Sequence, residues 1–297
     1  MTRNPESRIQ NPADGDGFTI AARAKVNLGL EILGRRADGY HEIATVLQEI
    51  DLADELVFRE APEVSLTCSE PTLADESNLI VRAVRLLQQE TGRSAGVAIH
   101  LEKRIPVSAG LGGGSSDAAA TLVGLNHFWQ LRLTEADLGE LASRLGSDVP
   151  FFIRGGTQLA TGRGETLESL PTPSLRLQLV VPTVEAPDKT RRLYQSLRPD
   201  DFTTGTSVTR VADALRRTAN FRPDLLTSGF TRAASAAFPA VADTLNALRR
   251  NGLAPVLCGA GPTILLLGSD NSLPVPPGCR AIAAAAVAAH DAESNQE

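Results

Sequence analysis

The chain has 297 residues, 42% of them apolar and 22% charged, with a formal charge of −6. Such a length and composition predict a globular protein of about two domains, each able to bury a core. No apolar run approaches the ~18 residues of a membrane span, the negative balance argues against a broad nucleic-acid surface, and the scattered Cys68, Cys258 and Cys279 give neither a disulfide framework nor a zinc pattern.

Three unpaired thiols of this kind fit a reducing cytoplasm. Residues 1–17 carry Pro, Asn, Asp and Gly without an apolar stretch, and are expected to be a disordered tail. They lack the apolar region of a signal peptide, and Glu6, Asp14 and Asp16 are unlike a transit peptide. From 19 to 32, Ile20, Ala22, Ala24, Val26, Leu28, Leu30 and Ile32 alternate with Arg23, Lys25, Asn27 and Glu31. The spacing predicts a half-buried strand whose polar face meets solvent or a ligand. Lys25 and Asn27, two apart, point the same way, either as solvated residues or toward a bound molecule. A turn at 34–39 leads to Tyr40-His41, an aromatic face beside a ring that donates or accepts hydrogen bonds. That pair suits reading a base, and an ordinary hairpin explains it equally well. Extended segments follow through Ile43, Val46 and Leu47 and again from 56 to 59.

Ser77 is a candidate N-cap for a helix carrying Leu79, Ala83, Leu86 and Leu87, ended by Gly92. Val97, Ile99 and Leu101 alternate as a strand reaching Lys103. Next comes Pro106-Val107-Ser108-Ala109-Gly110-Leu111-Gly112-Gly113-Gly114-Ser115-Ser116-Asp117, running into an Ala/Leu-rich helix. Four glycines within five residues let a ligand approach the main chain, and Ser115, Ser116 and Asp117 are good N-caps. Unpaired N–H groups at the positive end of a helix attract anions, phosphate above all. No Lys follows the glycines, so this is not a Walker A loop, and the dinucleotide fingerprint fits only loosely.

Trp129 and its apolar neighbours read as core, and Thr134 with Asp137 resembles a capping box opening a helix that Gly146 stops. Asp148 then stands between a helix stop and a Pro-led apolar run read as a strand, either as a turn former or as a site acid. Glycines at 155–164 suggest a domain boundary, dividing the chain into 18–164 and 165–290 with a polar tail at 291–297. The second half reads as a strand over 175–181, helices over 190–197, 208–218 and 240–250, and a strand over 264–267. Gly259-Ala260-Gly261-Pro262 reads as a hairpin turn, and the Ala-rich 281–289 as a closing helix.

The loop 106–116 resembles the central phosphate motif of the GHMP kinases, among them galactokinase, homoserine kinase and mevalonate kinase. Gly259-Ala260-Gly261-Pro262 resembles their C-terminal glycine motif. Ala24-Lys25-Val26-Asn27-Leu28, the Arg36-Ala37-Asp38-Gly39-Tyr40-His41 segment and Gly146-Ser147-Asp148-Val149-Pro150 resemble one branch, whose acceptor is a CDP-linked methylerythritol. The resemblance spans about 19–268 and implies an α+β fold, with an N-terminal ribosomal-S5-like domain and a C-terminal ferredoxin-like domain. It implies transfer of the ATP γ-phosphoryl group to the acceptor's 2-hydroxyl in isoprenoid precursor synthesis, with Mg²⁺ beside the nucleotide. Lys25 and Asp148 are then catalytic. Pro106, Val107, Ser108, Ala109, Gly110, Leu111, Gly112, Gly113, Gly114, Ser115, Ser116, Asn78 and Lys103 serve ATP. Asn27, Tyr40, His41, Asp148 and Tyr194 serve the acceptor, Tyr194 following Thr190 in a segment that is lengthened here. A monomer or homodimer acting on small molecules is expected. Two other readings stay open: a GHMP kinase of homoserine or mevalonate type, to which Tyr40-His41 is superfluous, and a non-catalytic nucleotide binder, to which Lys25 with Asp148 is superfluous.

Overall fold

The computed structural model describes residues 9–10, 17–184, 189–218, 221, 223–268, 273 and 275–289. Within the expected N-terminal tail, Ile9–Gln10 form a short strand (β1) opposite Ile20 and Thr19. The rest of that tail up to Asp16, and the 291–297 tail, lie outside the described residues.

The alternation read from 19 to 32 becomes β2 (Phe18–Arg35), whose apolar positions are all buried. Its polar face is not open to solvent: Lys25, Asn27 and Glu31 are buried as well, beneath elements of the second half. β2 pairs with β3 (His41–Glu60), one continuous strand where two segments were expected. Bulges between Arg23 and Lys25, Asn27 and Gly29, and Ile32 and Gly34 bend this pair and re-aim its side chains. β3 then forks. Glu55 to Glu60 pair with β5 (Val97–Glu102), which also holds the parallel β4 (Val64–Cys68). Ile43 to Gln48 pair with β6 (Thr157–Gly162), and β6 with β7 (Thr166–Leu170). The first sheet therefore runs to Leu170, past the boundary expected at 164.

Four helices cover that sheet. α1 (Leu79–Thr91) is capped by Asn78, whose Oδ1 accepts the Ile80 N–H, and not by Ser77; Gly92 ends it in the left-handed conformation. α2 (Gly113–Phe128) begins within the glycines, two residues before the expected serine caps, and is buried from Ser116 to Asn126. α3 (Glu135–Leu145) carries the expected Thr134–Asp137 capping box. α4 (Val149–Arg154) is a helix where a strand was expected. Its five buried residues from Val149 to Ile153 leave no periodicity to read, and Pro150 suits a first turn.

The second sheet is antiparallel, in the order β11 (Cys279–Ala285), β8 (Arg176–Pro182), β10 (Ile264–Leu267), β9 (Val256–Leu257). The Ala-rich segment is thus β11 and not a helix, because full pairing with β8 overrides alanine's helical preference. It also joins the two sheets, since the Val287 N–H donates to the Glu49 carbonyl of β3. α5 (Lys189–Gln195), α6 (Thr206–Thr218), α7 (Thr231–Ala237) and α8 (Pro239–Arg250) complete this half, α7 being unanticipated. A core cluster joins the halves: Ala24, Val26 and Leu28 of β2, Ala109 and Leu111 of the glycine loop, and Leu177, Leu179 and Leu265 of the second sheet.

Candidate active site

The glycine loop lies on the seam between the halves, along a cleft of about 1450 Å³. Its apolar residues hold it from beneath: Ala109 and Leu111 are buried, while Val107 is exposed. Backbone bonds fix it on both sides, the Lys25 N–H donating to the Leu111 carbonyl (2.9 Å) and the Thr263 N–H to the Ala109 carbonyl (3.3 Å). Gly110 has φ +85°, and a Cβ there would fall 2.6 Å from the Gly261 carbonyl oxygen. The second glycine turn is therefore a hairpin, as its spacing predicts, and also a wall of the site. Gly259 shows the same: a Cβ would stand 3.0 Å from Asn27 Oδ1.

α2 opens at Gly112 without a side-chain cap, so its first-turn N–H groups are left for an incoming anion. Residues 106–115 of the loop all line the cleft. Ser116 does not. It is fully buried, and its hydroxyl donates to the Arg23 carbonyl at 2.6 Å.

Two residues between the β2 bulges reach the same space. Lys25 Nζ donates to Asn27 Oδ1 (3.0 Å), and Asn27 Nδ2 donates to Thr45 Oγ1 (2.8 Å). Thr45 Oγ1 passes its own hydrogen to the Gly29 carbonyl, which fixes the order of donors along the chain. Lys25 Nζ also lies 3.9 Å from Asp148 Oδ2, bringing the two expected catalytic residues together. The Asp148 side chain remains 47% exposed toward the cleft and makes no capping bond to α4, so its carboxylate is free for other work.

Away from the glycine loop, the cleft is aromatic. His41 and Tyr194 stack with ring centroids 4.9 Å apart, and Phe230 meets Tyr194 edge-on. Tyr40 is exposed, with the Arg163 guanidinium 4.8 Å from its ring centre. Burial lowers the His41 pKa, and Arg35 lowers it further, favouring the neutral ring. Burial, and then the Asp148 charge, push the Tyr194 hydroxyl up to about 12.

Two expected nucleotide residues are engaged elsewhere. Asn78 lines the cleft, but its side chain caps α1 and donates to the Leu73 carbonyl. Lys103 is buried in an ionic triad, 2.5 Å from Asp54 and 3.1 Å from Asp117. Asp54 also accepts the Arg104 and Ile105 N–H groups, so the triad braces the strand end and the start of α2 behind the loop. Asp54 was missed in the sequence because it lies mid-strand with no local pattern. Lys189 was missed too: it is buried, and its ammonium donates to the Ser108 and Gly261 carbonyls.

The description GHMP kinases N terminal domain matches residues 78–156, the stretch holding the loop and Asp148. The chain is 41% identical over 261 residues to the 4-diphosphocytidyl-2-C-methyl-D-erythritol kinase of Gloeobacter violaceus, covering 85% of this chain and 86% of that one. It is similar to a crystal structure of 4-(cytidine 5'-diphospho)-2C-methyl-D-erythritol kinase, with TM-score 0.76 and 34% identity over 90% of this chain and 98% of the other. A homoserine kinase from Cytophaga hutchinsonii shares the fold at TM-score 0.69, with 17% identity over 95% and 98% of the two chains.

Proposed function

The chain belongs to the 4-diphosphocytidyl-2-C-methyl-D-erythritol kinases within the GHMP kinases, and on that premise we propose that it transfers the γ-phosphoryl group of ATP to the 2-hydroxyl of the CDP-linked methylerythritol. The observation carrying this reading is one cleft that joins three things: an uncapped glycine loop, a Lys25–Asp148 pair 3.9 Å apart, and the Tyr40, His41 and Tyr194 side chains. Phosphoryl transfer asks a protein chiefly for positioning and for stabilisation of charge, and these groups are suited to both.

On this reading the N–H groups of the loop and of the first turn of α2 hold the β- and γ-phosphates. Gly110 and its neighbours fit that task, because side chains there would fill the space against the second glycine turn. Ser115, which lines the cleft, is the loop hydroxyl available to a Mg²⁺ ion bound with the nucleotide; such an ion supplies charge neutralisation between phosphate oxygens. Lys25 steadies the transferring charge. Asp148 accepts the proton of the attacking hydroxyl, early or late along a loose transition state. The buried Asn27 is held by its bonds to Lys25 and Thr45 as a polar contact for the acceptor.

The cytosine is read at the aromatic end, stacked with Tyr40 or Tyr194 and hydrogen-bonded by His41. Binding energy gained there, remote from the reacting oxygen, orients the hydroxyl toward the γ-phosphate. A cytoplasmic enzyme acting on small molecules fits this chemistry, and no helix among the described residues is long and apolar enough to cross a membrane.

The deciding experiment measures ATP consumption by the purified protein with the CDP-linked methylerythritol, homoserine and mevalonate side by side. Turnover is expected with the first acceptor alone. Turnover with homoserine or mevalonate in its place would overturn the acceptor assignment, and none with any of them would overturn the kinase reading.

A further inference from the structure

Lys189 is the first residue of α5, five positions before Tyr194 on the same helix. It is buried, and both of its observed bonds go to main-chain carbonyls. One belongs to Ser108 of the phosphate loop, at 2.7 Å; the other belongs to Gly261 of the second glycine turn. One ammonium therefore gathers three elements that are distant in sequence. Ser108 has φ +55°, a left-handed conformation that a residue with a side chain adopts only when its surroundings impose it. The bond from Lys189 to its carbonyl is such an imposition.

We propose that Lys189 is a positioning residue for phosphoryl transfer: by bridging the Ser108 and Gly261 carbonyls it ties the acceptor-side helix α5 to the phosphate loop and holds the loop in its nucleotide-binding shape. This rests on the kinase reading above. A lysine buried against carbonyls, with no charge of opposite sign bonded to it, is a costly choice for packing alone. Its value lies in the two carbonyls it satisfies and in the positive charge it adds beside a phosphate site. Facing it are Lys25 from β2 and the Cys258 thiol from the turn after β9, while Asp148 lies beyond Lys25. Burial and then the Lys25 charge lower its pKa to about 8, so the clamp carries its proton at neutral pH and loses it in mild alkali.

The test compares wild type with Lys189→Met, which retains the bulk of the side chain and removes the ammonium. The KM for ATP is expected to rise about tenfold, while affinity for CDP, a probe of the aromatic end, changes by less than about twofold. In wild type kcat/KM for ATP should also fall as pH rises through about 8, and in Lys189→Met that fall should be lost. An unchanged KM for ATP would overturn the proposal. So would equal losses of ATP and CDP affinity with a lowered melting temperature, the mark of a merely structural residue. If Lys189→Met does not fold, affinity for a non-hydrolysable ATP analogue is measured from pH 7.5 to 9.5 in Asp117→Asn, which lacks the other buried group raised into that range. A several-fold loss is expected there, and a flat profile would overturn the proposal. The wild-type arm reports on the kinase reading; the difference between wild type and variant reports on Lys189.

Discussion

Lys25 Nζ stands 3.9 Å from Asp148 Oδ2, although one residue comes from the bulged β2 and the other from the start of α4. The contact is asymmetric. The lysine side chain is only 7% exposed and anchored on Asn27, whereas the carboxylate is 47% exposed and faces the cleft. A fixed cation beside an accessible carboxylate suits a proton acceptor whose neighbour remains in place while charge moves. Asp148→Asn preserves the size of the side chain and removes its basicity. It should lower kcat by ~10²–10⁴-fold, with ATP affinity by calorimetry and the melting temperature nearly unchanged, since no capping bond is lost. Near-normal turnover would remove Asp148 from the proton transfer.

Lys25 is expected to act on rate more than on nucleotide affinity. Its ammonium is directed at Asn27 and Asp148, while its backbone N–H separately holds the Leu111 carbonyl of the loop. Lys25→Ala keeps that backbone bond and removes the charge. A loss of ~10²-fold in kcat is expected, the usual scale for one group stabilising transition-state charge, with the KM for ATP changed only a few-fold. Steady-state kinetics separate the two, and a raised KM with unchanged kcat would place Lys25 in nucleotide binding instead.

The aromatic end makes a different prediction for each of its tyrosines. Tyr194 is packed between His41 and Phe230, so Tyr194→Phe should leave the acceptor KM unaltered. Tyr194→Ala and Tyr40→Ala each remove a face on which a base can stack, and each should raise that KM by roughly tenfold, the lower part of the range for one base–aromatic contact. Tyr40 is exposed, so its change should not affect the melting temperature, whereas Tyr194→Ala should lower it. An unchanged acceptor KM in Tyr40→Ala would disprove stacking at that residue.

Much of this site was legible in the chain itself, because its parts are local. The glycine loop announces itself by composition, the Lys25–Asn27 pair by strand alternation, and the Thr134 cap by spacing. What escaped the sequence are features set by distant partners. Nothing near Lys189 foretells that its ammonium will meet Ser108 and Gly261, and nothing near Asp54 foretells Lys103. The same cause turned the apolar run after Asp148 into α4 and the alanines near the C-terminus into β11. In both segments packing or pairing with remote residues outweighed a weak local signal.

The buried triad of Asp54, Lys103 and Asp117 gives a prediction for stability against pH. Two carboxylates share one ammonium, and Asp117 Oδ1 has no hydrogen-bond partner among the described residues. Burial raises the Asp117 pKa to about 8, Lys103 opposing the shift and Asp54 adding to it. With a folded-state pKa above the ordinary 3.8, the native protein retains a proton that the unfolded chain has released. The stability this confers is complete below the ordinary value and is lost as pH rises toward about 8; beyond that both states are ionised and the contribution is constant. Asp117→Asn removes the titration while keeping a polar group of the same shape. Denaturant midpoints measured from pH 5 to pH 8.5 should therefore decline more steeply in the wild type than in Asp117→Asn. Parallel profiles would mean that Asp117 is ionised throughout, with Lys103 neutralising it fully.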